Sequence, residues 1–380
     1  MGSFAFFLCF VHKDRNVSGC RFKEIDVARF PLGQTLISSK PDGPSPAEVL
    51  DWYDRRLNKY KTLSRENGGL SRHEVWRVQY LQHPYLLLCS DEELEERWID
   101  VFANTVTLNE EGKIGVELEG IHEPGHMTET FTHMLEACSA RGGVEAEQME
   151  KGKAELQKYF EHGEPLGVAM FKNMPRRIKN SIVKFSRYEF LEPMLRQGRL
   201  RLAPASYYAR GSHLKSVRDL ETHKTLRIPV VSEALAGETH INYDGKNLLI
   251  EGGAVTLPLV VPDYFLFSTC LDLDRRMPTD FEADAALIIR DADGFFHKVK
   301  KAFEKQIDQA NFYHGQVKYF DPFRWKPDGT ILPEMMKHFA FSYQKEHRIV
   351  ALPVTRELQV EPVFLEIGSM QDYAEIVRKS

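Results

Sequence analysis

Apolar positions along this chain fall into two rhythms, and their alternation predicts the elements. Runs of strand character lie at 181–188, 199–203, 264–270, 285–290, 312–319 and 341–353, each rich in Val, Ile, Phe or Tyr. The last run is the most informative. Ile349, Val350, Ala351 and Leu352, closed by Pro353, predict a strand end anchored in a core, while the front half carries Gln344 and Glu346 two positions apart. Alternate side chains of a strand share a face, so these two are expected to point the same way. A carboxylate there is costly unless it is used or paired. Helical periodicity predicts helices over 189–197, 292–309 and 333–341, with a short one from Met370. Strands at 238–243 and 246–250 around Asp244-Gly245 predict a hairpin.

The first half has its own pattern. Residues 4–11 read as a core strand and not a signal peptide, because no basic segment leads them and charges follow. Phe6 stands where a myristoylation signal needs Ser or Thr. Lys40-Pro41-Asp42-Gly43-Pro44 marks a break, and Ser45-Pro46-Ala47-Glu48 has the form of a capping box opening a helix to about Arg65. Further helices are predicted at 71–81, 91–98, 127–140 and from Gly143 to about His162, with strands at 99–107 and 113–119. The Gly163-Glu164-Pro165 break puts a boundary near 165, giving a mixed α/β domain over 1–165 and a second domain over 166–380.

Composition narrows the class. The chain has 380 residues, 42% hydrophobic and 11% aromatic, as in a folded chain of two domains. No apolar window is long enough to span a bilayer, and Cys9, Cys20, Cys89, Cys138 and Cys270 form no Cys-x-x-Cys pair, which fits a reducing cytoplasm and no membrane partner. The total charge of −5 conceals a basic segment: from Lys172 to Arg218 twelve Lys or Arg face only Glu189 and Glu192, a local +10 against −15 elsewhere. With Tyr188, Tyr207 and Tyr208 interleaved, this segment suits a phosphate backbone, or solvated faces and nucleotide phosphates. His122-Glu123-Pro124-Gly125-His126 has the letters of a zinc peptidase site, with His133 as a third candidate ligand. Pro124 and Gly125 argue for a loop instead, so no metal is expected.

The order Arg187, then Ser268-Thr269, then Gln344-x-Glu346 resembles the ADP-ribosyltransferase superfamily, in the branch with an Arg, a Ser-Thr-Ser strand and a Gln/Glu-x-Glu strand. That branch includes the clostridial Rho-modifying exoenzymes and many bacterial proteins whose domain closes on a Tyr/Trp-x-x-Glu-x-Arg strand. The likeness covers roughly 180–380, and Cys270 replaces the motif's last serine. It implies an α+β protein whose second domain is an ADP-ribosyltransferase-like split β-sandwich with flanking helices. It also implies NAD as substrate and transfer of ADP-ribose to a macromolecular acceptor, protein or nucleic acid, by a toxin, effector or anti-phage defence enzyme. An inhibitory partner protein is compatible with such a role.

By the same resemblance, Glu346 would stabilise the oxocarbenium ion, Arg187 the pyrophosphate or adjoining ribose, Ser268 the glutamate or nicotinamide ribose, and Gln344 the acceptor. Thr269, Tyr207 and Tyr208 complete the expected NAD-binding set, a tyrosine stacking on nicotinamide or a base. Other readings stay open. Glu346 and Arg348 could form a buried ion pair, Arg187 could pair with Glu189 or Glu192, and Ser268 and Thr269 could cap a strand end. NAD hydrolysis to ADP-ribose and nicotinamide, or a catalytically silent nucleotide- or partner-binding module, are the rival functions.

Overall fold

The computed structural model describes residues 45–116, 126–143, 146–209, 221–243, 245–307, 309–324, 332–355 and 360–379. The chain forms two compact units, one of residues up to 106 with 114–155, the other of 107–113 with 156 onward. The expected strand at 4–11, the 40–44 break, Cys9, Cys20, and His122 to Gly125 lie outside the described residues.

The first unit is built on α1 (Pro46–Asn67), α2 (Arg72–Gln82), α3 (Asp91–Thr105) and α4 (His126–Ala140), with the short strand β2 (Ile114–Val116) and helix α5 (Ala146–Gln157) at its edges; β1 (Val106–Leu108) falls mostly in the second unit. Helices α1, α2 and α3 each open on a serine–glutamate capping box: Ser45 with Glu48, Ser71 with Glu74, Ser90 with Glu93. Where a strand was expected from residue 99, α3 continues to Thr105. Trp98, Val101, Phe102 and Thr105 recur at helical spacing and are all buried, so a continuous apolar stripe wins over the β-branched content. Inside this unit the buried Glu136 accepts from Arg56 at 2.7 and 2.9 Å and pairs with Arg77.

The second unit is α+β. It continues through α6 (Leu166–Met170), β3 (Ile182–Ser186), α7 (Tyr188–Gln197), β4 (Arg199–Pro204), β5 (His223–Pro229), α8 (Val231–Leu235), β6 (His240–Tyr243), β7 (Lys246–Glu251) and β8 (Ala254–Val260). Next come β9 (Phe265–Cys270), α9 (Met277–Asp280), β10 (Ala285–Ile289), α10 (Ala292–Glu304), β11 (Ala310–Gln316), β12 (Lys318–Phe320), β13 (Met336–His338), β14 (Glu346–Pro353), β15 (Val363–Glu366) and β16 (Ala374–Arg378). The main sheet is antiparallel, in the order β11-β14-β9-β3-β10-β16, with β4 also on β9 and β15 on β4. A second antiparallel sheet runs β5-β8-β7-β6; the expected β6–β7 hairpin pairs Tyr243 with Lys246 at its end, and Asp244 lies outside the described residues.

The main sheet is covered on both faces. Ile182, Phe267, Leu287, Ile289 and Ile349 pack with Leu191 and Met194 of α7 and with Phe295, Phe296, Val299 and Phe303 of α10. Val183, Phe185, Ala286 and Ile288 face the other way, toward Met170, Phe171 and Met277. Double coverage explains why β10 is wholly buried and reads as a continuous apolar run.

The sheet divides at β9. One end of β9 pairs with β3 only at Cys270↔Val183, and the other end pairs with β4 at Leu266↔Ala203 and Phe265↔Pro204. Between these pairings the backbone edge of β9 is left to side chains. Lys184 answers this directly, its Nζ donating to the Ser268 carbonyl at 2.7 Å.

Other expectations are corrected here. Residues 333–341 are not one helix but two 3₁₀ turns (Pro333–Met335 and Phe339–Gln344) flanking β13. Residues 312–319 divide between β11 and β12, and α10 ends at Glu304. The C-terminal segment is the strand β16 after a turn at Met370–Tyr373. It pairs along the full length of β10, so the edge of a deeply apolar strand outcompetes a helix too short to stand alone.

Candidate functional site

Three strands bring the singled-out residues together. β14, β9 and β3 are consecutive in the sheet, and Arg348 lies opposite Ser268 while Glu346 lies opposite Cys270. A cavity of about 290 Å³ opens at the division of the sheet. Arg187, Ser268, Thr269, Gln344, Glu346 and Tyr208 all line it. Tyr207 does not; it is 40% exposed outside the cavity, edge-on to Tyr208.

Gln344 and Glu346 do not share a strand. Gln344 ends a 3₁₀ turn, Lys345 adopts the left-handed conformation (φ 46°, ψ 53°), and β14 begins at Glu346. Lys345 is held there by its Nζ, 3.0 Å from Asp272, and by its N–H to the Ser342 carbonyl. The two side chains still converge, because Lys337 Nζ donates to Gln344 Oε1 at 3.1 Å and to Glu346 Oε2 at 2.9 Å. The left-handed pivot thus replaces strand alternation as the device that gathers them.

Glu346 is 4% exposed and sits in a charge network. Arg348 Nε donates to its Oε1 at 2.7 Å, and the Arg348 guanidinium is bidentate to Glu221 at 2.6 and 2.8 Å. Lys224 and the Tyr264 hydroxyl complete the surroundings of Glu221, each at 3.2 Å. The backbone N–H of Glu346 donates to the Tyr319 hydroxyl at 2.8 Å. Burial alone would raise both carboxyls. For Glu221 the Arg348 charge, then Lys224 and Lys337, outweighs it and holds the group at about 2. For Glu346 the Arg348 and Lys337 charges outweigh burial and hold it well below the usual carboxylate range. Both are ionised at neutral pH. The Glu346–Arg348 ion pair that the sequence left open is therefore present, and the cavity opens in front of it.

The remaining wall is more cationic than anionic in character. Burial lowers the affinity of Lys184 for its proton, and no carboxylate among the described residues pairs with it. Arg187 caps the start of α7 instead of ending β3; its side chain is 61% exposed, with Glu189 4.0 Å away. Phe190, one turn on, is 63% exposed at the rim. Thr269 reaches the wall but donates its hydroxyl to the His347 carbonyl at 3.0 Å. Burial, then the Glu346 and Glu221 charges, pushes the Tyr208 phenol up to about 12, so it stays a hydrogen-bond donor. Cys270 is likewise pushed up to about 12 by burial and then by Glu346, and is a packed thiol.

Lys184, Lys337, Glu221 and Phe190 were not singled out from the sequence. Lys184 carried a usable signal, a lone lysine inside an apolar strand run. Glu221 carried none, since its partner Arg348 lies 127 residues away, and Lys337 meets Gln344 and Glu346 only through the turn between them. The zinc reading finds no support from His133, which bonds the Trp76 carbonyl at 2.9 Å and the Tyr85 hydroxyl at 3.3 Å. No group of three or more metal-ligating side chains occurs among the described residues. No helix among the described residues is long and apolar enough to cross a membrane.

Comparison with protein-family models, with curated proteins and with solved structures returns no match.

Proposed function

We propose that the second unit is an ADP-ribosyltransferase with the split β-sandwich of that superfamily, cleaving NAD in this cavity and passing ADP-ribose to a macromolecular acceptor. The observation that carries the reading is that Arg187, Ser268 and Glu346, spread over 160 residues of sequence, come from the β3–α7 junction and two adjacent strands and line one cavity. Cleavage breaks the bond from ribose C1′ to the nicotinamide nitrogen. Its electron pair leaves with nicotinamide and positive charge builds on the sugar. A carboxylate held ionised and immobile meets that charge without reorganisation, and Glu346 is such a group. Its Oε1 accepts one bond, from Arg348 Nε, and retains acceptor capacity for a ribose hydroxyl, while Oε2 accepts from both Lys337 and Arg348. Arg187 and Lys184 supply positive charge for the phosphates, and Phe190 an apolar face for a ring.

One observation favours a second reading, a silent nucleotide-binding module. Arg348 and Lys337 compensate the charge of Glu346, and a compensated carboxylate stabilises a cation less than a bare one. The two readings separate with NAD labelled in its adenylate half, incubated with cell lysate or total RNA. Label transfer dependent on Glu346 supports the transferase; nicotinamide release without transfer supports NAD hydrolysis. NAD binding with neither outcome supports the silent module.

A further inference from the structure

β4 and β15 form a two-stranded ribbon with an unusual outer face. Its inner residues Leu200, Leu202 and Leu365 are almost wholly buried. The outer positions are Arg199 and Arg201 on β4 and Phe364 and Glu366 on β15. Arg201 lies directly opposite Phe364 and stacks over Tyr207 at 4.6 Å; Arg199 stacks over Phe364 at 5.1 Å. The result is a ladder of alternating aromatic rings and guanidinium groups: Tyr207, Arg201, Phe364, Arg199. Tyr207 is 40% exposed and Phe364 52%. Neither arginine is ion-paired among the described residues, although Glu366 stands opposite Arg199.

We infer that this ladder is a docking surface for single-stranded nucleic acid, and that such a strand is the acceptor presented to the cavity. Half-exposed aromatic rings, each with a guanidinium group stacked on it, offer their exposed surface to unstacked bases, while the guanidinium groups, which pair with no carboxylate among the described residues, meet phosphates. A protein partner would be served by apolar area, which this face lacks between its two rings; a duplex hides the bases that the rings would hold. Tyr207 touches Tyr208, which lines the cavity, so the ladder ends at the candidate site. The choice of acceptor rests on the transferase reading, but the binding itself does not.

The test uses the full chain without NAD. Fluorescence anisotropy is followed with a labelled mixed-sequence single strand, RNA or DNA, and with its duplex, between roughly 50 and 200 mM salt. The single strand is expected to bind about tenfold or more tighter than the duplex. Arg199→Ala with Arg201→Ala should weaken binding at least about tenfold and flatten the log–log salt slope by about 1.4. Tyr207→Ala with Phe364→Ala should weaken it similarly while leaving the slope unchanged. All four side chains are on the outer face, so circular dichroism should report an intact fold. Absence of binding by the wild type, equal binding of duplex, or either double variant binding like the wild type overturns the inference. None of these results touches NAD cleavage, which is read separately.

Discussion

At the scale of single residues, the site is governed by how Glu346 is compensated. Glu346→Gln keeps the shape but removes one of the two carboxylates that neutralise Arg348. Breaking one side of a buried ion network costs about 3 to 5 kcal/mol, so urea unfolding of the variant should show a clear loss of stability. Activity should fall further than stability explains, by roughly 10²- to 10³-fold, the range for loss of one preorganised electrostatic contact. Lys337 joins Gln344 to Glu346, and Lys337→Met should therefore lower kcat for nicotinamide release while leaving KM for NAD within a few fold. Lys337→Arg should recover part of that loss by restoring a donor. Equal effects of Met and Arg would assign the lysine a packing role only.

At the scale of elements, the turns decide what a strand pattern cannot. α7 ends at Gly198, whose φ is 68°, and a Cβ there would stand 2.0 Å from the Gly368 carbonyl oxygen. Gly198→Ala must therefore move backbone as well as adopt a left-handed conformation. It should cost more than the 1 to 2 kcal/mol of left-handed strain, read from the urea midpoint.

Much of the element plan was legible for local reasons. The Ser45 capping box, the β6–β7 hairpin around Gly245 and the apolar runs of β3, β9 and β10 all carry their structure in adjacent residues. Gln344 did not, because the turn after it uses Lys345, a residue with no turn signature, held left-handed by Asp272 from afar. The strand β16 was missed because its reason for being a strand is the open edge of β10. Glu346, Arg187 and Ser268 were legible through the order of their motifs and Lys184 through its place in an apolar run, whereas Lys337 was not.

At the scale of the whole second unit, pH should act in two steps. His347 and His314 meet at 3.2 Å between ring nitrogens and both stack on Phe296. Burial, then the His314 charge, pulls His347 down to about 4, and burial lowers His314 too. Their folded affinities for protons lie below the unfolded value near 6.5, so the unfolded chain takes up protons first. The stability they contribute is complete above about pH 6.5 and is lost as pH falls toward 4. Glu221, at about 2 when folded, and Glu346, held well below the usual carboxylate range by Arg348 and Lys337, contribute stability that is full above about pH 4.3 and is lost as pH falls toward 2. Amide hydrogen exchange at β14 should show both steps, and His347→Leu should flatten the upper one alone. A single step below pH 4.3 in the wild type would contradict the histidine assignment.

The most direct test of the central claim is nicotinamide release from NAD by wild type and by Glu346→Gln, with NAD binding measured on both and with lysate protein and RNA each offered as acceptor. Release by the wild type, and its loss by about 10²-fold or more in a variant that still binds NAD, is the predicted result. A wild type that binds NAD yet releases no nicotinamide with any acceptor, or a variant as active as the wild type, would contradict it.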